Sequence, residues 1–496
     1  MNPHLAYFRP ELVNSTTGSR QVDLCIYGGS SAGVIAAVQA VRMGKTVLLL
    51  DPSDHLGGLS SGGLGCTDFG RKKAIGGLSH DFYRRLGTKY GRDEEWMFEP
   101  HVAEAVFADL VAEQRITVLH RQYLASVVRD GLALRSLTTL GGLTVQATMF
   151  IDATYEGDLM AQAGVAFTVG REANAQYGET INGVQVHKAH QFDRPVDPYR
   201  TPGQPASGLL PGIDPAPLAP IGSGDKRVQA YNFRMCLCDD PANRIPFAKP
   251  EGYDQLAYEL LARHLAAGWD EVFHKFDRLC VRSKTDTNNH GAVSSDFIGQ
   301  NHRWAEASYA EREQLFQAHV TYQQGYHWFL ANDPRVPATI RDHYAQWGLA
   351  ADEFPQTGGW PHQLYVREAR RMVGDAVVTE SNCRQQVHAA DPIGLGSYNM
   401  DSHNCRRFVQ DGRVFNEGDV QIPTKPYGIS YRAIIPARGQ CTNLIVPVCC
   451  SCSHIAYGSL RMEPVFMVLG QSAATAACLA LDAGVAVQDL PYAPLR

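Results

Sequence analysis

Two groups of residues in this 496-residue chain have the types and spacing that chemistry needs. The first is "YGGSSAG", residues 27–33. In the fingerprint G-x-G-x-x-G the first glycine allows a tight turn, the second lets the backbone approach a pyrophosphate, and the third lets helix pack closely on strand. Gly28 and Gly33 fill the outer positions and Ser30 stands in the middle one. Serine is the mildest replacement there, and the hydroxyls of Ser30 and Ser31 can donate to phosphate oxygens. Asp51 ends the next apolar run, where a carboxylate can accept hydrogen bonds from ribose hydroxyls. NAD and FAD share this cradle. The paired Gly57 and Gly58 in "DPSDHLGGLSSGG", followed by Gly62, Gly63 and Gly65, bring the backbone past the cofactor a second time. That suits a long, extended FAD better than a nicotinamide dinucleotide.

The second group could handle protons. A flavin takes hydride, so the protein must position a substrate carbon and manage a proton. "YVREARRM" places Arg367, Arg370 and Arg371 at i, i+3 and i+4, one face of a helix, where they could hold a carboxylate or deliver a proton. The plainer reading is an ion-paired face with Glu368 and Asp375. "GSYNMDSHNC" offers Tyr398, Asn399, Asp401 and His403 in a polar run expected to be a loop. His403 is the first candidate for a general base and His454, in "CSCSHIAYGS", the second. In "TDTNNHGAVSSDF", Asn288, Asn289 and His290 could orient substrate hydroxyls, or simply make an Asn-rich turn. The expected catalytic set is therefore His403, Arg367 and His454, with Asn288, Asn289, Tyr398 and Arg371 on the substrate.

Twelve cysteines are scattered, mostly in apolar stretches, which suits buried thiols in a reducing compartment. Cys449 and Cys452 form a C-x-x-C that could be a redox pair beside a flavin. No partner motif completes a zinc set, so no metal is expected. His55 could in principle carry a covalent flavin bond.

These residues need a scaffold. Val22–Tyr27 reads as a buried parallel strand, Ala32–Met43 as a helix stopped by Gly44, and "KTVLLLD" as a second buried strand ending at Asp51. This β-α-β context is what gives a glycine motif its meaning. "HVAEAVFADLVAEQR" reads as helix, and "ITVLHRQYLASVVRD" and "LTVQATMFIDAT" as strands. Eight prolines between Pro195 and Pro220 mark 187–225 as a long loop. The middle is rich in Trp304, Tyr322, Tyr326, Trp328, Trp347 and Trp360, rings that could stack on sugars but at helical spacing belong to a core. "CTNLIVPVCC" to "GQSAATAACLALDAG" returns to a buried strand and a small-residue helix. The expected fold class is α/β: a discontinuous FAD-binding Rossmann-like domain, residues 20–165 and 426–496, with an inserted α+β substrate (cap) domain at 166–425.

The formal net charge of -6 is not gathered into blocks, so neither a nucleic-acid groove nor a membrane helix is expected. The first twenty residues lack the apolar core of a secretory signal, and no run reads as long and apolar enough to cross a bilayer. The expectation is a cytoplasmic protein acting on a small polar molecule, with a homo-oligomer compatible.

The sequence resembles the bacterial FAD-dependent oxidoreductase family often labelled xanthan-lyase-like, similar in fold to the fumarate reductase and glutathione reductase flavoproteins. The resemblance runs from about Val22 to Asp482. It is carried by "YGGSSAG", "LGGLSSGGLGCTD", "FIDATYEGDLMAQAGV", "KTDTNNHGAVSSDFIG", "YVREARRMVGD", "DPIGLGSYNMDSHNCRR", "KPYGISYRAIIP" and "AYGSLRMEPVFMVLGQSAATAA". It implies that Gly28, Ser30, Ser31, Gly33, Asp51, Pro52, Gly57, Gly58 and Leu59 bind FAD. It further implies that Asp152, Ala153 and Thr154 end a strand beside the cofactor, and that the segment with Arg461, Met462, Gln471 and Ser472 closes the flavin end. The expected activity is oxidation at a C–H next to a hydroxyl on a sugar-like, polyol or hydroxy-acid substrate. The alternatives are a reductase or dehydrogenase of unsaturated carboxylic acids, thiol–disulfide chemistry, and a non-catalytic FAD-binding partner.

Overall fold

The computed structural model describes residues 4–496. Strand β1 (Gly18–Tyr27), helix α1 (Ser31–Arg42) and strand β2 (Val47–Leu50) form the expected β-α-β unit, with Leu24–Tyr27 paired in parallel to Val47–Leu50. β1 begins before the apolar run because residues 18–22 pair with the start of β6 (Leu143–Asp152), where exposed polar side chains cost nothing. Helices α2 (Gly77–Lys89) and α3 (Pro100–Glu113) precede β3 (Thr117–Leu119), and β4 (Leu124–Asp130) and β5 (Ala133–Thr139) lead into β6. The sheet runs β3-β2-β1-β6-β5-β4. Its last parallel strand, Leu444–Ile445, pairs with Phe150 and Ile151 of β6. The sheet is thus assembled from both ends of the chain.

The helix Glu463–Ala483 packs on α1. Its 21 residues are apolar and long enough to cross a membrane by length and composition, contrary to the sequence expectation. Two-thirds of that stretch is buried inside the fold, so a helix sandwiched between helices and sheet accounts for its apolarity. At the crossing, a Cβ on Gly470 would lie 2.3 Å from the carbonyl oxygen of Ala32. Glycine is what lets the two backbones touch.

The middle of the chain builds a five-stranded antiparallel sheet in the order 276–278, 284–287, 235–238, 348–350, 244–245. Against it lies the 24-residue helix Tyr309–Asn332, started by a capping box between Ser308 and Glu311. Trp304, Trp360, Trp347, Tyr322 and Tyr326 are buried, and only Trp328 is partly open. These rings are core. The proline-rich 187–225 stretch has only the short 3-10 turn Pro205–Ser207 as regular structure. Phe192, Val196 and Leu210 pin it into the second core, and the buried Arg171 ties its far end through Asp225.

Residues 365–370 are not helical, and Arg371–Met372 is a short strand paired with Phe167–Thr168. The three arginines share no helix face, because each is drawn to a different buried carboxylate. "NMDSH" is not an open loop either: Met400–Ser402 pairs with Val420–Ile422, and His403 is buried.

Gly470→Ala should push α1 and the C-terminal helix apart. The overpacking costs about 1–3 kcal/mol, against a helix-propensity gain of about 1 kcal/mol. The expected result is a lower urea midpoint, read by circular dichroism.

Candidate active site

The dinucleotide cradle forms where β1 turns into α1. Gly28 has φ +109°, and a Cβ there would lie 2.7 Å from the backbone of Ala153 and Thr154. Only glycine permits this turn so close to the end of β6. Ser30 is the N-cap of α1: its Oγ accepts the N–H of Gly33 at 3.3 Å and donates to the Ala153 carbonyl at 2.6 Å. The serine in the glycine position is therefore a capping residue that ties α1 to β6. Asp51 is buried, accepting from Gly29 N at 3.1 Å and Ser53 Oγ at 2.7 Å. A cleft opens here between Gly28, Ser30, Asp51, Pro52, Gly58, Ala153 and Thr154, with Tyr155 on its wall. Asp152 lies behind, fully buried, holding Thr154 and Met160 N at 2.8 Å; burial pushes its carboxyl up to about 6. Gly57 joins the cradle by donating its N–H to Gly29 O at 2.8 Å.

A second cluster gathers around Tyr365. Three guanidinium groups approach its ring, Arg367 at 4.5 Å, Arg461 at 5.8 Å and Arg234 at 6.0 Å. Each is also ion-paired: Arg367 with Asp296 at 3.1 Å, Arg461 with Asp401 at 2.9 Å, and Arg234 with Asp286 at 2.5 Å. His403 links two of these pairs, with Nδ1 2.8 Å from Asp296 and Nε2 3.4 Å from Asp401. Although burial opposes it, the guanidinium of Arg367 and the imidazole of His403 hold Asp296 below its ordinary range. His403 and Arg461 likewise hold Asp401 well below its ordinary range. Tyr398 faces the same space. Asp68, then burial and Asp401, keep its phenol protonated. Asn289 reaches it through His190, at 3.5 Å; burial and the neighbouring His403 push that imidazole down to about 4.

The remaining expected residues lie elsewhere. Arg371 is fully buried and bound to Glu368 and Glu172, so it cannot meet a substrate. His454 is also buried, with Nδ1 2.7 Å from Glu368 and Nε2 3.0 Å from Ser402 Oγ. It stands behind the strand that carries His403. Asn288 accepts the N–H of Asn289 and forms the plain turn. Gln471 and Ser472, well inside the C-terminal helix, fasten Leu78 N and the Ile393 carbonyl at 2.8 Å each and not the cleft. Residues that sequence reasoning passed over are Arg234, Asp296, Tyr365 and Glu463. Of these, Tyr365, Asp296 and Glu463 stand inside quoted motifs; the available signal was an acid after two serines for Asp296 and an acid directly before a proline for Glu463.

Cys449 and Cys452 do not meet. Cys449 Sγ lies 3.3 Å from the Tyr155 carbonyl and Cys452 Sγ 3.5 Å from that of Cys450. Burial pushes both thiols far up. Glu99, His101 and Glu353 could hold a cation, and the ammonium of Lys284 takes that place, 2.5 Å from Glu99 and 2.9 Å from Glu353.

Compared with known proteins, residues 23–496 match the family described as FAD dependent oxidoreductase. The chain belongs to that family. No curated protein matches it. Solved structures similar to the oxidoreductase include the L-amino acid deaminase from Proteus vulgaris, at 12% identity and TM-score 0.25 over 32% of this chain and 55% of that one. Another is the L-proline dehydrogenase from P. horikoshii, at 12% identity and TM-score 0.26 over 32% and 59%. A third is the OxyS anhydrotetracycline hydroxylase from Streptomyces rimosus, at 11% and 0.26 over 35% and 41%. The matched regions thus span less than two-thirds of each of those chains.

The cradle fits FAD. A turn that only Gly28 can make leaves room for phosphates at the start of α1, and Asp51 stands where a ribose would be held. Ser30 backbone, Asp51, Pro52, Gly58, Ala153 and Thr154 would hold the cofactor.

In the native oxidoreductase, Cys449 and Cys452 should resist thiol alkylation at neutral pH and react only after unfolding. Mass spectrometry of labelled peptides checks this; rapid native labelling of either would revive thiol chemistry.

Proposed function

We propose that this FAD-dependent oxidoreductase oxidises a carbinol C–H of a neutral polar molecule, of the polyol or sugar-like class, with His403 as the general base. FAD, when bound, supplies the acceptor for the hydride. The reaction breaks the substrate C–H and O–H bonds and leaves a carbonyl. His403 receives the hydroxyl proton, Asp296 fixes its ring through Nδ1, and Asp401 stabilises the imidazolium that results. Tyr398 and Asn289 offer hydrogen bonds to further hydroxyls.

The observation that carries this reading is the charge balance around His403. Arg234, Arg367 and Arg461, the three guanidinium groups around the Tyr365 ring, each already face a carboxylate, so none of these three is free to clamp an acid; Arg407, buried within reach of the Asp296 charge, donates to the Ala292 carbonyl. Arg367 is in addition spent on the Ala230 carbonyl at 2.5 Å and on Asn232 at 2.9 Å. A neutral substrate fits such a site better than a hydroxy acid or an unsaturated acid.

Anaerobic mixing with polyols, sugars, hydroxy acids and unsaturated acids tests the class, because only a substrate bleaches the flavin. Neutral polyols or sugars should do so; bleaching by acids alone would overturn the reading. His403→Ala should slow flavin reduction at least about a hundredfold with FAD retained. Asp296 keeps Arg367 and Asp401 keeps Arg461 in that variant, so the fold should hold. Arg367→Ala is different: it takes the guanidinium away from buried Asp296, which keeps His403, and should cost up to about 3–5 kcal/mol of stability, read by denaturant unfolding.

A further inference from the structure

Two helices from opposite ends of the chain begin at one point. α1 starts at Ser31 and the C-terminal helix at Glu463, and Ser31 Oγ donates to Glu463 Oε2 at 2.5 Å. Each helix start carries unpaired N–H groups and partial positive charge. Where two meet, negative charge is favoured. Glu463 supplies it here, yet among the described residues no cation pairs with it. Its partners are hydroxyls: Ser31 on α1, Ser60 at 3.4 Å on the turn after β2, and Tyr155 at 2.8 Å after β6. From α2, Ser79 bonds the Pro464 carbonyl, and Tyr83 is close enough to sense the Glu463 charge. Arg461, two residues earlier, is spent on Asp401 and Tyr365. Burial pushes the Glu463 carboxyl up to about 7, and the hydroxyl donors pull it only partly back. Tyr155 and Tyr83 are raised and stay neutral.

The carboxyl is one step from the cradle. Tyr155 lines the dinucleotide cleft beside Gly28, Ser30 and Thr154, and its hydroxyl accepts the N–H of Leu59 at 3.0 Å while donating to Glu463. Tyr155 and Glu463 together engage the donors on Leu59, Ser31 and Ser60. Their chain neighbours Ser30 and Gly58 line the cleft at the start of α1, where the phosphates of a dinucleotide would be held.

We propose that Glu463 is a proton-linked stand-in for the phosphates of FAD. Its carboxylate, held by the Ser31, Ser60 and Tyr155 hydroxyls, supplies the negative charge beside the paired helix starts while the cofactor is away, and it takes one proton from solvent when the phosphates bring their own charge beside it. No electron or other group moves. The proposal rests on FAD binding and not on the substrate class, so failure of one leaves the other standing. Binding that takes up a proton weakens as pH rises. The fall begins near the pKa of the free carboxyl and stops above that of the FAD-bound form, with a limit of about tenfold per pH unit.

The test is FAD retention by the holoprotein from about pH 6.5 to about pH 8.5, followed by the fluorescence of released FAD and by the equilibrium Kd. Wild type should lose affinity as pH rises. Glu463→Gln keeps the shape and the hydroxyl partners but cannot titrate; its profile should be flatter, and it should hold FAD about tenfold more tightly at the alkaline end. Asp51, His55, Glu156 and His362 also line the cleft, and whatever slope they add is common to both proteins. A Gln variant with the wild-type profile overturns the proposal. If that variant does not fold, Ser31→Ala decides. Losing one donor raises the carboxyl further and should move the wild-type profile to higher pH, and an unmoved profile overturns the proposal.

Discussion

Taking a guanidinium out of water costs on the order of several kcal/mol unless carboxylates and further acceptors meet it. Six buried arginines, Arg171, Arg234, Arg312, Arg367, Arg371 and Arg461, are each met by a carboxylate, whereas buried Arg407 is met by the Ala292 carbonyl. The matches join segments far apart in sequence. Arg171 binds Asp225 and Glu417, Arg312 binds Asp158, and Arg371 binds Glu172 and Glu368. Removing one member would leave an unpaired charge inside, so the pairs fix which segments must lie together even where hydrophobic packing would tolerate several arrangements. The cluster of ion pairs around Tyr365 is one product of this constraint.

The same constraint shapes the chemistry. A cation already faced by a carboxylate attracts no second anion strongly, so the cluster around Tyr365 presents hydrogen-bonding groups whose charges are largely paired. His403 is the member of the network whose two ring nitrogens both face carboxylates. At the cradle the balance is reversed: two helix starts offer positive charge, and the acid that stands between them is Glu463. One site is electrically complete without a ligand, and the other is completed by one.

The parts of the fold visible in the sequence were those set by neighbours along the chain. Gly28, Gly33 and Asp51 sit within one β-α-β unit, so periodicity and turn chemistry reveal them, and the C-terminal return shows by its apolar strand and small-residue helix. The arginine triplet shows what spacing cannot tell. Arg367, Arg370 and Arg371 fit a helix face on paper, but their partners Asp296, Asp158 and Glu172 are 71, 212 and 199 residues away, and those pairings hold the segment extended. His403 was legible as a polar histidine; its burial between Asp296 and Asp401 was not, because Asp296 lies 107 residues upstream. Gln471 and Ser472 illustrate the reverse: a motif shared along its length marks a whole helix, while only the helix start reaches the cleft.

The short strand Leu444–Ile445 has a consequence for how the protein is made. It is the strand that covers β6 beside the cradle, and the helix that follows brings Glu463 to Ser31. During synthesis the glycine turn emerges some four hundred residues before these pieces. A ribosome-bound chain therefore holds an open half-sheet, with α1 lacking its partner helix, until those pieces have been made. A complete cradle forms only after that. Chains that stop early would be left with an exposed apolar helix face, marking them for chaperones and proteases in place of flavin.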